Sequence, residues 1–127
     1  MENPGDLKYT KEHEWVRVEG GTATVGITEF AQSELGEIVF VELPEVGREC
    51  EQGESICVAE STKAASDIYA PIRGKVVEVN TALADTPNLV NSSPYDEGWL
   101  ARLEDFDAAE AESLMSAAEY QEYIQKK

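Results

Sequence analysis

The sequence predicts a mainly β fold in which two small antiparallel sheets pack face to face as a flattened barrel or sandwich. Glycine and proline interrupt the chain often, and most segments between them have the length of a strand, about five residues. Several of these segments alternate apolar and polar residues, as strands with one buried face do. With 127 residues and 42% hydrophobic residues, the chain can fill one core but hardly two. We therefore expect a single domain over residues 1–127.

Charge and composition exclude several classes of function. The formal net charge is −16, and the ten basic residues are scattered among 26 acidic ones, so nucleic acid is not an expected partner. No segment approaches the ~20 apolar residues that cross a bilayer. Such a charge favours a monomer and fast encounter with enzymes that have basic active-site entrances. The start of the chain has no basic or apolar targeting pattern, which favours a bacterial cytoplasm; a mitochondrial matrix is the eukaryotic alternative.

The first predicted element is a β-hairpin. Residues 15–18 and 22–27 both alternate, and Gly20 with its neighbour Gly21 supplies the turn between them. The hairpin should bury one face of its second strand through Ala23, Val25 and Ile27.

A short helix and an apolar strand should follow the hairpin. Residues 29–35 can form the helix, and Gly36 ends it. Residues 38–43 form a strongly apolar strand that Pro44 closes.

A second hairpin is predicted around a single lysine. Two matching β-type runs, 56–60 and 66–70, flank a short connection with Lys63 at its midpoint. Val58 and Ile68 both lie five residues from Lys63, so a pairing centred on the lysine places these two side chains opposite each other.

The rest of the chain adds two strands and a helix. Residues 76–79 form a strand, the stretch up to Gly98 is expected to be irregular, and alternation resumes at 99–103. The β body of about 9–104 then contains about seven or eight strands. A C-terminal helix over about 107–125 should pack on it. Its signals are a capping-box pattern at Asp107 and Glu110 and an apolar face formed by Ala111, Leu114, Met115 and Ala118.

A weak internal repeat favours two related β units. At an offset of 54 residues, four positions of the first half correspond to four of the second, so the two sheets should be pseudo-symmetric. The matched positions are Gly20, Ala23, Val25 and Leu35 with Gly74, Val77, Val79 and Leu89.

Lys63 is the candidate functional residue. Small or polar residues flank it on both sides, so its amine should be accessible. Nothing apolar beside it would favour the neutral amine that Schiff-base catalysis needs, so it is a better acyl acceptor than a catalyst. From the local sequence alone, the competing interpretation is a solvated turn lysine. The only histidine, His13, is interpreted as a half-buried packing residue, and Cys57 as a small strand residue.

Four separated motifs resemble the glycine cleavage system H-protein family. The segment 60–71, Glu-Ser-Thr-Lys-Ala-Ala-Ser-Asp-Ile-Tyr-Ala-Pro, resembles the lipoylation segment of that family. Segments 26–32, 35–44 and 91–99 resemble it as well. The resemblance covers roughly residues 9–103 and the C-terminal helix, with the motifs in the family's order.

The resemblance implies a fold, a cofactor and a role in glycine catabolism. The fold would be a lipoyl/biotinyl-type barrel-sandwich hybrid with lipoate amide-linked to Lys63, attached by a lipoate ligase or a lipoyl/octanoyl transferase. The chain would be a non-catalytic carrier that shuttles an aminomethyl group from glycine decarboxylase, the P-protein, to the aminomethyltransferase of one-carbon metabolism, the T-protein. Dihydrolipoyl dehydrogenase, the L-protein, would reoxidise the arm. No metal is expected.

The family's loaded arm folds into a cleft of its own carrier, where acidic and hydroxyl groups hold its ammonium. The resemblance transfers this role to Glu14 and Asp67; the other interpretation of both is an ordinary surface carboxylate. Glu12 stands where some family members have a serine, which removes a hydroxyl group from that position.

Other carriers and roles are alternatives to this one. A biotin carrier typically has methionines beside its lysine, whereas Thr62 and Ala64 flank Lys63. The lipoyl domain of a 2-oxo acid dehydrogenase is shorter and resembles neither the region of Trp15 nor that of Trp99. An H-like protein that relays lipoate to other carriers is an alternative that the sequence separates poorly from the shuttle. For an independent enzyme, the chain lacks a phosphate loop and a nucleophile elbow.

Overall fold

Two antiparallel sheets form the body of the protein in a computed structural model, which describes residues 3–126. The described residues contain nine strands: β1 (Lys8–Tyr9), β2 (Glu14–Glu19), β3 (Thr22–Ile27), β4 (Ile38–Glu42), β5 (Glu49–Cys50), β6 (Ser55–Ser61), β7 (Ala65–Tyr69), β8 (Gly74–Val79) and β9 (Ala101–Glu104). They also contain five helices: α1 (Glu29–Leu35), α2 (Ala82–Asp85), α3 (Leu89–Ser92), α4 (Ala108–Glu112) and α5 (Ala117–Gln125).

The strand order confirms the predicted mainly β fold of two antiparallel sheets. One sheet has six strands in the order β1-β2-β3-β9-β8-β5, and the other has three in the order β4-β6-β7. The two-residue strands β1 and β5 bring the described total above the expected seven or eight, because they are too short to show alternation. The internal repeat stays a prediction.

The first hairpin forms as predicted. Strands β2 and β3 pair from Glu14 opposite Ile27 to Glu19 opposite Thr22. Gly20 lies in the turn with φ of 60°, a conformation that glycine adopts at little cost. The side chains predicted to be buried on β3 are all at most 3% exposed: Ala23, Val25 and Ile27.

Helix α1 and strand β4 also follow the sequence signals. The Thr28 hydroxyl accepts a hydrogen bond from the Ala31 N–H and caps the helix, and Gly36 ends it with φ of 84°. In β4, the pairing register with β6 shifts between Ile38 and Phe40. This β-bulge interrupts the alternation of side chains along the strand.

The lysine hairpin forms, but the predicted pairing of Val58 with Ile68 is wrong. Val58 lies opposite Asp67, and Ile68 lies opposite Cys57. The hairpin centre falls between Thr62 and Lys63, because the turn has two central residues and not one. A pairing centred on one residue needs an odd number of residues in the turn. Because this turn has two, the partner of Val58 is one position earlier than predicted, Asp67 in place of Ile68.

The segment before Gly98 is more regular than expected, since it contains the short helices α2 and α3. The predicted C-terminal helix is present as α5, but the range 107–125 is not one helix. At Met115, two backbone hydrogen bonds with Tyr9 hold the chain in an isolated bridge. Ser116 then starts α5 with a capping box that includes Glu119.

Two of the residues that signalled this helix act differently from the prediction. Asp107 caps α4 as expected, but the Glu110 carboxylate accepts a hydrogen bond from the Arg73 N–H at 2.7 Å. Ala118 is exposed, and the buried residue of α5 is Tyr120.

The core consists of two clusters. The larger one combines buried residues of both sheets, among them Val25, Ile68 and Val76. The smaller one lies beneath α5 and consists of Leu7, Tyr9, Trp15, Tyr95 and Tyr120. No helix within residues 3–126 is long and apolar enough to cross a membrane.

Candidate functional site

Lys63 lies at the turn of the β6–β7 hairpin. The Ser61 N–H donates to the Ala64 carbonyl at 2.8 Å, which closes the turn around Thr62 and Lys63. The Ser61 hydroxyl oxygen also accepts from the backbone N–H groups of Lys63 and Ala64, at 3.1 and 3.2 Å. The backbone of the lysine is therefore held firmly while its side chain is exposed.

A neighbouring segment supports the turn from one side. The Thr62 N–H donates to the Glu37 carbonyl at 3.2 Å, and Ile38 pairs with Ser61 in the β4–β6 ladder. The stem of Lys63 passes beside Gly36: a Cβ added there would lie 3.5 Å from Lys63 Cε. The start of the lysine side chain thus has a defined position on the scaffold.

Asn91 on α3 fixes that supporting segment. Its Nδ2 group donates to the Gly36 carbonyl at 2.8 Å and to Gln32 Oε1 at 2.9 Å. Its Oδ1 atom accepts from the Ile38 N–H at 2.8 Å. This role of Asn91 was not predicted, because no pattern in the sequence shows that α3 lies against the end of α1.

Glu14 is a buried carboxyl group and not an ordinary surface carboxylate. The residue is 3% exposed. Its carboxylate accepts a hydrogen bond from the Thr10 hydroxyl at 2.6 Å and another from the Tyr69 N–H at 3.4 Å. Burial raises the pKa of Glu14 to about 7, while these two hydrogen bonds oppose the shift and the charge of Glu12 adds to it.

The structure brings the two predicted acidic residues, Glu14 and Asp67, to one cavity of about 360 Å³. Asp67 is exposed, and its carboxylate accepts a hydrogen bond from the Ser55 hydroxyl at 3.1 Å. Glu12 lines the same cavity, and Ile27 is among the apolar residues of the cavity wall. Such a combination of carboxylates and apolar walls suits a cation carried on an apolar chain.

A second cavity of about 540 Å³ also includes Glu14 in its lining. Glu12 and Tyr69 line both cavities as well. Tyr69 was not predicted as a site residue, although strand alternation puts it on the same side of β7 as Asp67, two positions away. Thr10, whose hydroxyl group holds the Glu14 carboxylate, was not predicted either.

His13 and Cys57 take the packing positions that the sequence predicted. His13 is half-buried, its ring lies 4.7 Å from that of Phe30, and its Nδ1 atom is 2.9 Å from the Tyr120 hydroxyl. Cys57 is 3% exposed, and burial raises the pKa of its thiol to about 12. A thiol with such a pKa is a poor nucleophile near neutral pH.

Two small antiparallel sheets with a lysine at a hairpin turn define the lipoyl-type class of carrier domain. Residues 7–127 match the sequence model of the family described as glycine cleavage H-protein, and the chain belongs to this family. The family consists of lipoyl carriers of glycine cleavage, so the match supports that carrier role and decides against a biotin carrier.

Individual relatives give the same result. The chain is 56% identical to the glycine cleavage system H protein of Symbiobacterium thermophilum over 123 residues, which cover 97% of this chain and 96% of the relative. It is 58% identical to that of Halalkalibacterium halodurans over 121 residues, or 95% and 94% of the two chains. The crystal structure of the H protein from Mycobacterium marinum superposes with a TM-score of 0.83 at 42% identity and covers 97% of each chain.

Proposed function

We propose that Lys63 carries an amide-linked lipoyl group and that the protein shuttles an aminomethyl group from the P-protein to the T-protein. The L-protein then reoxidises the arm, and the bare polypeptide catalyses none of these steps. The observation that carries the proposal is an exposed lysine side chain on a firmly held turn, in a member of a lipoyl-carrier family.

The surroundings of Lys63 fit this attachment. In the attachment reaction, its Nζ atom forms an amide bond with the activated carboxyl carbon of lipoate, the activating group leaves, and the nitrogen loses its proton and charge. An exposed side chain lets an enzyme reach Nζ, and the hydrogen bonds of Ser61 fix where the arm begins. When bound, lipoate supplies a dithiolane whose sulfur atoms accept and release the carried group.

The cavity of Glu14 and Asp67 supports a resting position for the loaded arm. An ammonium group there would face the buried carboxylate of Glu14 and the exposed one of Asp67. Because a nearby cation favours the ionised acid, we expect it to draw the pKa of Glu14 down from about 7. Glu12 replaces the hydroxyl group of some relatives with a further carboxylate, so it adds charge but no hydroxyl donor.

The partner enzymes are inferred from the glycine cleavage system to which the family belongs. The charge of −16 favours a monomer and long-range attraction to enzymes with basic entrances. The relatives compared are bacterial, which supports a bacterial cytoplasm as the compartment.

The alternative within the same family is a lipoate relay that passes its acyl group to other carriers. The loading experiment uses the intact mass of the chain with and without a lipoate ligase, followed by incubation with P-protein and isotope-labelled glycine. We expect the mass gain of one lipoyl group, its loss in Lys63→Arg, and label on the arm. If the lipoylated chain never takes up label, the shuttle is wrong and the lipoate relay remains as the function.

A further inference from the structure

Two consecutive apolar side chains on β4 are exposed. Among residues 3–126, the large apolar side chains with high exposure are Val18, Val39, Phe40 and Val46, and only Val39 and Phe40 are adjacent. Each of these two is 50% exposed. The bulge between Ile38 and Phe40 explains the break in alternation, because it allows two neighbours to remain outside the core.

This apolar pair, Val39 with Phe40, lies close to Lys63. In the β4–β6 ladder, Phe40 is opposite Glu60, which precedes the lysine by three residues. At about 3.3 Å per residue, the pair is roughly 10 Å from Lys63 along the sheet. Any enzyme that works directly on the lysine amine therefore covers or adjoins these two side chains.

Acidic residues surround the apolar pair. Glu37 and Glu42 lie on either side of it in the sequence, and Glu60 lies opposite Phe40; all three are exposed. A second copy of the chain would bring the same carboxylates together, and each copy carries a net charge of −16. The complementary surface is an apolar pocket with lysine and arginine residues around it.

We propose that Val39 and Phe40 are the docking contact for the enzyme that acylates Lys63. This inference rests on the proposed function. The enzymes that use the finished arm can dock at a distance, since the arm reaches into them. The acylating enzyme must bring its activated acyl group to Nζ itself, so its footprint includes the surface next to the hairpin. A central apolar contact with charged residues at its edge is the usual anatomy of such an interface.

The test measures acylation of the unmodified chain by a lipoate–protein ligase with ATP and lipoate. We expect Val39→Thr combined with Phe40→Thr to lower kcat/KM at least about tenfold, the effect of losing one interface hot spot. Val18→Thr is the matched control, since Val18 is a strand valine with 44% exposure in the other sheet. It should stay within about twofold of the original chain.

A competition experiment makes the result independent of chemistry at the lysine. The Lys63→Arg chain cannot be acylated at this position but keeps the apolar pair, so it should inhibit acylation of the original chain competitively. The same chain with both threonine substitutions should inhibit at least about tenfold more weakly. Circular dichroism would show whether both competitors are folded; if the double variant is not, the single substitution Phe40→Thr replaces it, and the same weakening of inhibition is expected.

The outcomes separate this inference from the proposed function. Loss of rate and of inhibition in the threonine variants, with Val18→Thr unaffected, supports the docking contact. If the original chain is acylated on Lys63 and the threonine variants match it, the docking contact is wrong and the carrier function stands. If the original chain is never acylated on Lys63, both are wrong.

Discussion

The carboxylate of Glu14 on β2 accepts a hydrogen bond from the backbone N–H of Tyr69 on β7, with an oxygen–nitrogen distance of 3.4 Å. The two strands belong to different sheets, so this bond links the six-stranded sheet to the three-stranded one. It lies where the two acidic cavities adjoin, since both residues line both of them. Burial makes the same carboxyl group titrate near neutral pH. Stability and arm binding should therefore both depend on Glu14.

The first prediction concerns the pH dependence of stability. Because folding raises the pKa of Glu14 from an ordinary 4.5 to about 7, the folded state binds this proton more tightly than the unfolded state. The stabilisation that the protonated Glu14 side chain contributes is full below pH 4.5 and is lost as the pH rises through 7. The shift corresponds to a change on the order of 3 kcal/mol. Glu14→Gln has no titrating group at this position and cannot lose this stabilisation. As the pH rises from 4.5 to 7, its free energy of unfolding should therefore increase relative to that of the original chain.

Urea unfolding at several pH values between 4 and 8 measures the difference between the two chains. Other titrating groups are common to both and largely cancel. Glu19→Gln, at the exposed end of the same strand, is the control for the loss of one carboxylate. If Glu14→Gln ran parallel to this control, the raised pKa would be wrong.

The second prediction concerns the lifetime of the loaded arm. Glu14→Ala should leave lipoylation of Lys63 unchanged, because the buried carboxylate does not line the hairpin turn. It should speed the release of the one-carbon unit at least about tenfold, since a buried charge-assisted contact contributes about 1.5–3 kcal/mol. The measurement follows isotope label on the arm after removal of P-protein. An unchanged release rate would count against the cleft, and Glu19→Ala is the control.

Much of the fold follows from local patterns, because turns and strand alternation depend on neighbouring residues. Gly20 and Gly36 marked their turns correctly through the need for positive φ. The register of the lysine hairpin could not be predicted in this way. The predicted pairing was symmetric about Lys63 alone, whereas the turn has two central residues, Thr62 and Lys63. The break in the C-terminal helix depends on a bridge from Met115 to Tyr9, which lies more than a hundred residues away in the chain.

The candidate site shows the same division between local and long-range information. Lys63 was found from its small flanking residues and the resemblance of its segment to a family. The burial of Glu14 could not be deduced, because a glutamate is usually exposed and its partner Tyr69 is 55 residues away in the chain; only its partner Thr10 is local. The support from Asn91 is likewise a tertiary contact.

The third prediction concerns the close approach of β3 to an aromatic ring. A Cβ at Gly26 would lie 2.6 Å from Cζ2 of Trp15, whose residue is completely buried. The indole cannot move freely, since its N–H donates to the Ile27 and Pro94 carbonyls. Gly26→Ala should therefore cost at least about 2 kcal/mol of stability. Thermal and urea unfolding would measure it, with Gly21→Ala as the control.

That control is matched because a Cβ at Gly21 meets nothing within 4 Å and its φ is not positive. Its free energy of unfolding should stay within about 0.5 kcal/mol of the original value. Equal stability of the two alanine variants would show that the ring adapts to the added methyl group.

The fourth prediction concerns the support of the lysine turn by Asn91. Replacement with alanine removes its three hydrogen bonds to Gln32, Gly36 and Ile38. At about 1 kcal/mol each, the free energy of unfolding should fall by about 3 kcal/mol. The carbonyl of Glu37, which lies between two of these contacts, then loses its fixed position as acceptor for Thr62. Acylation of Lys63 by a lipoate ligase should slow severalfold even where the chain remains folded.

The control for this change is Asn88→Ala. Asn88 precedes the same helix, is exposed, and makes no side-chain capping hydrogen bond there. Its stability and acylation rate should match those of the original chain. The decisive measurement compares acylation rates at a temperature where circular dichroism shows both variants fully folded. A slower rate for Asn91→Ala under that condition assigns Asn91 a positioning role at the turn, whereas equal rates would restrict it to stability.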